Sequence, residues 1–200
     1  MVSSYRHYYF IPQLTVLSYG QAPPVTPAAF VEKASAVLDE RDTELLGMLG
    51  IGPVPRDAER SGCGFVDGLR DWETALRLHL ARLRAAALGR DAGALPPAPA
   101  VPVSAAEAAA RAMAAETPLE GEGIIDRARW NAVEALQGGE LFHRRTVFAY
   151  LVKLMILERQ AGFTADAGFS QYSSLYGSVL ERAGKTATEA ASGGEADDRN

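Results

Sequence analysis

The triplet Gly184–Lys185–Thr186 is the first candidate for chemistry, because it matches the end of a phosphate-binding loop. In that loop another glycine stands five residues before the second one, so that backbone amides can surround the phosphates. Val179 occupies this position here, and the triplet follows a predicted helix where the motif would follow a strand. We therefore interpret it as a helix end and predict no nucleotide site.

The three histidines, His7, His79 and His143, are isolated in the sequence. None has a second histidine three or four residues away with which to share a metal ion. Two of them are expected to face solvent, and His143 begins the polar flank 143–145 of an apolar segment. The single cysteine, Cys63, has neither a disulfide partner nor a CxxC ligand pair. The sequence predicts no metal site.

Four acidic residues stand close together and could be imagined as a metal or acid–base site: Glu116, Glu120, Glu122 and Asp126. The simpler interpretation is that the dipole of a helix favours acidic residues in its first turn. We adopt this interpretation, and we predict no catalytic residue and no cofactor. The chain is therefore not expected to be an enzyme.

Tryptophan and arginine dominate binding hot spots, so both residue types are candidates for partner contacts. Trp72 falls on a leucine stripe and is expected in the core, whereas Trp130 lies off its stripe and could be core or interface. Three arginines, Arg70, Arg77 and Arg84, follow one helix face at intervals of seven residues. Glu73 stands four residues before Arg77 and is expected to form an exposed ion pair with it. This row is a solvated face or, alternatively, a docking surface. The candidate partner-binding residues are Arg70, Arg77, Arg84, Trp130, Arg144 and Arg145.

The composition is that of a globular protein, with 48% apolar and 22% charged residues. The net charge is -5 and no segment concentrates Lys and Arg, so nucleic acid is not an expected partner. Pro12 interrupts the aromatic start before it reaches the length of a signal-peptide core. The most apolar window, residues 147–157, is shorter than the ~20 residues that a membrane crossing needs. We expect a cytoplasmic location.

The periodicity predicts an all-α helical bundle with an extended aromatic N-terminal segment and a disordered C-terminal tail. Residues 1–88 form an N-terminal helical half, in which Thr26 starts one helix, Asp42 recaps a second and 65–88 is strongly amphipathic. An alanine–proline linker, 89–103, separates it from a C-terminal half, 104–184.

The C-terminal half contains capping signals at Ser104 and Thr117, and then an apolar helix from Glu140 to Ala161. This helix is apolar around nearly its whole circumference and has to lie inside the bundle. An amphipathic stripe over 169–180 and an acidic tail, 185–200, complete the chain.

The chain resembles an uncharacterised family that is encoded among the subunits of bacterial V-type (A/V-type) ATPases. That family is often viewed as a counterpart of the C-type subunit of the central stalk, which is the d-type subunit in eukaryotes. The resemblance rests on the aromatic start Tyr8–Ile11, the 72–83 helix, the block from Trp130 through Phe142 to Arg159, and Gly168–Phe169.

The resemblance implies a non-catalytic subunit that couples the soluble motor to the membrane ring. Its partners would be protein subunits of a rotary ATPase, and it would lie peripheral to the inner membrane, in contact with it only through those subunits. Two alternatives stay open. One is a soluble helical adaptor or assembly factor, and the other is a helical enzyme whose acidic residues converge only after folding.

Overall fold

The computed structural model describes residues 6–55 and 58–163. The contacts discussed below lie within the compact unit of residues 1–160. The regular structure of the described residues is entirely helical, which confirms the predicted all-α class. A 3₁₀ turn, Ile11–Gln13, follows the first helix. In chain order the helices are α1 (Arg6–Phe10), α2 (Pro27–Ser35), α3 (Glu40–Gly47), α4 (Gly64–Ala87), α5 (Ala105–Met113), α6 (Pro118–Gln137) and α7 (Arg144–Gly162).

The aromatic N-terminal segment differs from the extended chain predicted for it, because residues 6–13 are helical. The chain becomes extended only at Leu14. His7 and Phe10 are three residues apart and both buried, so one helical turn places them on the same side. The Phe10 ring packs there against Phe30, with ring centroids 5.9 Å apart.

Side-chain caps define where α2 and α3 begin. Thr26 Oγ1 accepts a hydrogen bond from Ala29 N over 3.2 Å, as predicted for the start of α2. For α3 the predicted cap was wrong, because Asp39 Oδ1 accepts the hydrogen bond from Asp42 N over 2.8 Å. Asp42 lies inside the helix instead, and its side chain is buried.

The two capping signals of the C-terminal half are confirmed. Ser104 Oγ accepts a hydrogen bond from Glu107 N over 3.1 Å, and Thr117 Oγ1 accepts one from Glu120 N over 3.1 Å. Gly138 ends α6 with a φ of 70°, a backbone conformation that favours glycine.

The helix α7 is part of the larger of two hydrophobic clusters. Leu151 and Leu154 have no exposed surface, and most of the other apolar residues of α7 are buried as well, whereas Tyr150 and Met155 are partly buried. Other parts of the chain therefore cover most of the circumference of α7. The helix α4 spans both clusters, with Phe65 and Leu69 in the larger one and Trp72 and Leu80 in the smaller one. Trp72 is 1% exposed and is a core residue, as predicted.

The alanine–proline segment 89–103 lies outside the helices. Trp72 Nε1 donates a hydrogen bond to the carbonyl of Val103 over 3.2 Å, and Val101 packs against the smaller cluster. Helices from both sides of the segment contribute to both clusters. The segment is therefore attached to the helices near Trp72.

Three predicted features of the C-terminus, the stripe 169–180, the triplet Gly184–Lys185–Thr186 and the tail 185–200, lie outside the described residues. Among the helices that are described, none has the length and hydropathy that would allow it to cross a membrane.

The helices α5 and α6 approach each other closely at Gly121. A methyl group on Gly121 would lie 2.9 Å from the carbonyl oxygen of Ala112, which is closer than real Cβ contacts allow. Glycine is therefore required at this position by the packing of backbone against backbone.

Replacing Gly121 by alanine should lower the free energy of unfolding by about 1–3 kcal/mol, because the Ala112 carbonyl is held in its helix. Gly123 in the same helix is the matched control, since open space surrounds it. Alanine at Gly123 should raise the free energy of unfolding by about 0.5–1 kcal/mol. Urea unfolding followed by circular dichroism measures both values, and equal effects would contradict the close approach.

Candidate protein-docking site

Four large apolar side chains are exposed at α1 and at the chain just before α7. The rings of Tyr8 and Phe142 stack with centroids 5.3 Å apart and planes 10° from parallel. Tyr8 is 51% and Phe142 45% exposed, and their chain neighbours Tyr9 and Leu141 are 77% and 65% exposed. We call these four residues the aromatic patch. Large apolar side chains that are exposed and, like Tyr8 and Phe142, pack together on the surface mark interaction sites.

A buried carboxylate next to the patch joins three helices. His7 Nε2 of α1 lies 3.1 Å from Asp42 Oδ2 of α3, and Arg144 Nη1 of α7 donates to Asp42 Oδ1 over 3.1 Å. His7 has no partner near it in the sequence, and folding supplies one from 35 residues away. Since an unpaired buried charge is strongly unfavourable, these contacts fix His7 and Arg144 in place.

A pocket of about 350 Å³ opens beside the patch. Both rings of the Tyr8–Phe142 stack line it, and the other lining residues are ionisable: His7, Asp39, Asp42, His143 and Arg144. The pocket therefore brings together charged groups and aromatic surface from α1, α3 and the start of α7.

His143 is partly buried in this lining, and burial lowers the pKa of its imidazole. Glu140 opposes the shift, whereas Arg145 and Arg144 add to it. His143 Nδ1 lies 3.3 Å from the backbone nitrogen of Arg145, from which it accepts a hydrogen bond. The lowered pKa favours the neutral imidazole at neutral pH. The positive charge beside the patch therefore comes from Arg144 and Arg145.

The predicted partner-binding arginines fall into two groups. Arg144 and Arg145 begin α7 beside the aromatic patch, and both are accessible. Arg70, Arg77 and Arg84 lie on α4, where they line other pockets. The structure therefore does not bring all five arginines to one surface.

Trp130, for which core and interface were both open, is only 5% exposed. Tyr19 meets its ring edge to face, with centroids 5.6 Å apart, and Lys153 Nζ lies 4.8 Å from the ring centroid. Its Nε1 donates to Glu134 Oε1 over 2.9 Å. The structure therefore shows Trp130 as a core residue.

A buried ionic network connects α4, α6 and α7. Arg129 Nη2 donates to Glu73 Oε2 over 3.2 Å, its Nε also donates to Glu73, and its Nη1 donates to Asp126 Oδ1 over 2.5 Å. Arg159 Nη1 donates to the same Asp126 oxygen over 2.7 Å, and its Nη2 pairs with Glu122. The prediction of an exposed Glu73 was wrong, since its side chain is 1% exposed.

The acidic cluster that the sequence suggested is divided in the structure. Glu120 lies in the first turn of α6 and accepts a hydrogen bond from the backbone of Glu116 over 3.1 Å, in agreement with the prediction. Asp126 belongs to the buried network, so the helix-dipole interpretation was wrong for it. Within residues 6–55 and 58–163, no group of three or more His, Cys, Asp or Glu is placed to hold a metal ion.

The fold and the site thus describe a helical protein with an exposed aromatic patch beside two arginines. Comparisons with protein-family models, with curated proteins and with solved structures find no match.

Replacing Arg129 by methionine should lower the free energy of unfolding by about 3–5 kcal/mol, because Glu73 stays buried without its main partner. Replacing Glu73 by leucine in the same chain should recover much of this loss, since no uncompensated charge is then left at position 73. Arg77→Met is the control and should cost less than about 1 kcal/mol, because Arg77 is 43% exposed and lies 3.7 Å from Glu73, farther away than Arg129. Glu73→Leu alone completes the comparison. If the double variant lost as much free energy of unfolding as the two single variants together, the coupling between Arg129 and Glu73 would be contradicted.

Asp126 predicts a dependence of stability on pH. Its Oδ2 has no hydrogen-bond partner, and burial raises its pKa above the ordinary 3.8 although Arg129 and Arg159 oppose this. The unfolded chain therefore loses this proton at a lower pH than the folded one, so the Asp126 contribution falls as pH rises above 3.8. The difference in unfolding free energy between Asp126→Asn and the wild type should therefore shift in favour of Asp126→Asn as the pH rises above 3.8. Unfolding free energies between about pH 3 and about pH 7 test it, and a difference that does not change with pH would contradict it.

Proposed function

We propose that this protein is a non-catalytic subunit that binds another protein through its aromatic patch, and that this partner belongs to a bacterial V-type ATPase. The observation that carries the proposal is the exposed stack of Tyr8 on Phe142. Two stacked rings that each keep about half of their surface in water form a preassembled apolar anchor.

The composition of the site suits protein binding. Aromatic residues and arginine are enriched in interfaces, and they include most of the residues whose truncation weakens binding. The side chain of Arg144 is 39% exposed and Arg145 is exposed as well. We expect the partner to present an apolar surface with acidic residues at its edge.

The patch is held by a rigid base, which favours affinity. Asp42 fixes α1 and α7 through His7 and Arg144. Deeper in the core, Phe30 contacts Phe10 on one side and Tyr150 on the other, the latter with ring centroids 4.9 Å apart. Because these elements are ordered before binding, less conformational entropy is lost when a partner docks.

The resemblance to the ATPase-associated family supports the choice of partner. The residues that carry the resemblance include Tyr8, Tyr9 and Phe142 of the aromatic patch. A central-stalk role, similar to that of the C-type or d-type subunit, requires a body that transmits force without deforming, and closely packed helices have low compressibility. In this role the protein would lie on the cytoplasmic side of the inner membrane and would contact it only through the other subunits.

A soluble adaptor or assembly factor is the second candidate, and the same patch favours it. It differs from the first only in the identity of the partner. The enzyme alternative draws its support from the pocket beside the patch, where His7, His143 and Asp42 lie close together. It predicts a reaction that the protein performs without any partner.

Affinity purification from cells that express the tagged full chain tests the proposal. The wild type should recover subunits of a V-type ATPase, and Phe142→Ser should recover at least about tenfold less, because it removes half of the aromatic anchor. Arg145→Glu should also weaken recovery by reversing a charge at the edge of the patch.

Leu88→Ser is the matched control, because Leu88 is an exposed leucine, at 67%, that follows α4 and does not belong to the patch. It should recover the partner as the wild type does. If a different protein is recovered, and its recovery depends on Phe142, the partner is not an ATPase subunit and the adaptor alternative is supported. Equal recovery by the wild type and Phe142→Ser would exclude the patch as the docking site.

A further inference from the structure

A second pocket, of about 430 Å³, lies between α4 and α6 and is separate from the aromatic patch. Four guanidinium groups line it, those of Arg77, Arg84, Arg129 and Arg159. We call it the arginine pocket. Two of these residues belong to the arginine row on α4 for which the docking site above gives no role.

Two of the four guanidiniums are already neutralised within the chain. Arg129 is held by Glu73 and Asp126, and Arg159 is held by Asp126 and Glu122. These contacts keep both side chains in fixed positions at the base of the pocket. The positive charge available to a ligand therefore has to come from the other two arginines.

The other two guanidiniums are available to a ligand. The only ion pair of Arg77 in the described part of the chain is a 3.7 Å contact with Glu73, whose oxygens already accept hydrogen bonds from Arg129. Arg84 is exposed and forms no ion pair with any described residue. The two residues are seven positions apart, about 10 Å along the helix axis, so their long side chains can approach one ligand group.

The rest of the lining includes the apolar side chains of Leu76, Leu80 and Ile125. It also includes Glu122, whose carboxylate is paired with Arg159. The volume of the arginine pocket lies in the range typical of small-molecule sites, which combine an apolar lining with a few polar groups. Apolar surface on one side and two available arginines on the other would suit a molecule with an apolar part and an anionic end.

We propose that the arginine pocket binds a small organic anion, a carboxylate or phosphate carried on a short apolar chain. Arg77 and Arg84 donate hydrogen bonds to the anionic group, and Leu76, Leu80 and Ile125 contact the apolar chain. Guanidinium groups match the geometry of both kinds of anion. This binding needs no partner protein and is independent of the docking proposal above.

Titration of the purified full chain with hexanoate, hexyl phosphate and hexan-1-ol tests the proposal and distinguishes the two anions. Binding is followed by the methyl resonances of Leu76, Leu80 and Ile125 in NMR spectra. At least one of the anions should cause saturable shifts of these methyl groups, whereas hexan-1-ol should cause none at the same concentration. The anion that binds more tightly identifies the headgroup.

Arg77→Gln and Arg84→Gln should each weaken binding of that anion at least about tenfold, the effect expected from losing a charged hydrogen bond. Arg70→Gln is the matched control, because Arg70 belongs to the same row on α4 but does not line this pocket. It should bind as the wild type does. The proposal is overturned if neither anion binds, if hexan-1-ol binds equally well, or if Arg70→Gln weakens binding as much as Arg84→Gln.

Discussion

The helix α7 carries apolar residues on every face, and this constraint determines how the described residues are arranged. Leu151 and most of its apolar neighbours are buried, so other helices have to cover most of the circumference of α7. Residues of α1, α2, α3, α4 and α6 share its cluster and supply that cover. The apolar run begins only after Arg144 and Arg145, where the helix reaches the surface. Phe142, just before α7, is therefore left beside α1, where it stacks on Tyr8.

The elements that depend on local signals could be predicted, whereas contacts across the fold could not. The caps at Ser104 and Thr117 and the buried helix around Leu151 follow from spacing along the chain. Spacing also predicted a pair between Glu73 and Arg77. In the structure the shorter contact of Glu73 is with Arg129, which is 56 residues away in the sequence. The candidate site shows the same limit. Arg144 and Arg145 were named from the sequence, but the Tyr8–Phe142 stack and the pair of His7 with Asp42 arise only when distant segments meet. Local rules do not choose between partners that only folding brings together.

The buried carboxylates share a common arrangement, in which each contacts basic side chains from more than one element. Asp42 joins α1 to α7 through His7 and Arg144, and Asp126 joins α6 to α7 through Arg129 and Arg159. Burying an ion pair adds little net stability compared with an apolar pair of the same volume. A wrong helix register, however, would leave one of these charges buried and unpaired, which is strongly unfavourable. The carboxylates therefore contribute mainly to selecting one arrangement of α7 against its neighbours.

Two buried carboxylates, Asp42 and Glu73, prepare the two surfaces for binding. The side chain of Arg144 is 39% and that of Arg77 43% exposed, and each contacts a buried carboxylate with part of its guanidinium. An arginine held in this way loses less side-chain entropy on binding than one that is mobile in solvent. Beside each lies an arginine on the same helix, Arg145 or Arg84, that has no ion pair in the described part of the chain. One fixed guanidinium can then orient a ligand or partner, while its neighbour adds charge that selects for anions. The apolar surface next to each pair supplies the area that makes binding favourable.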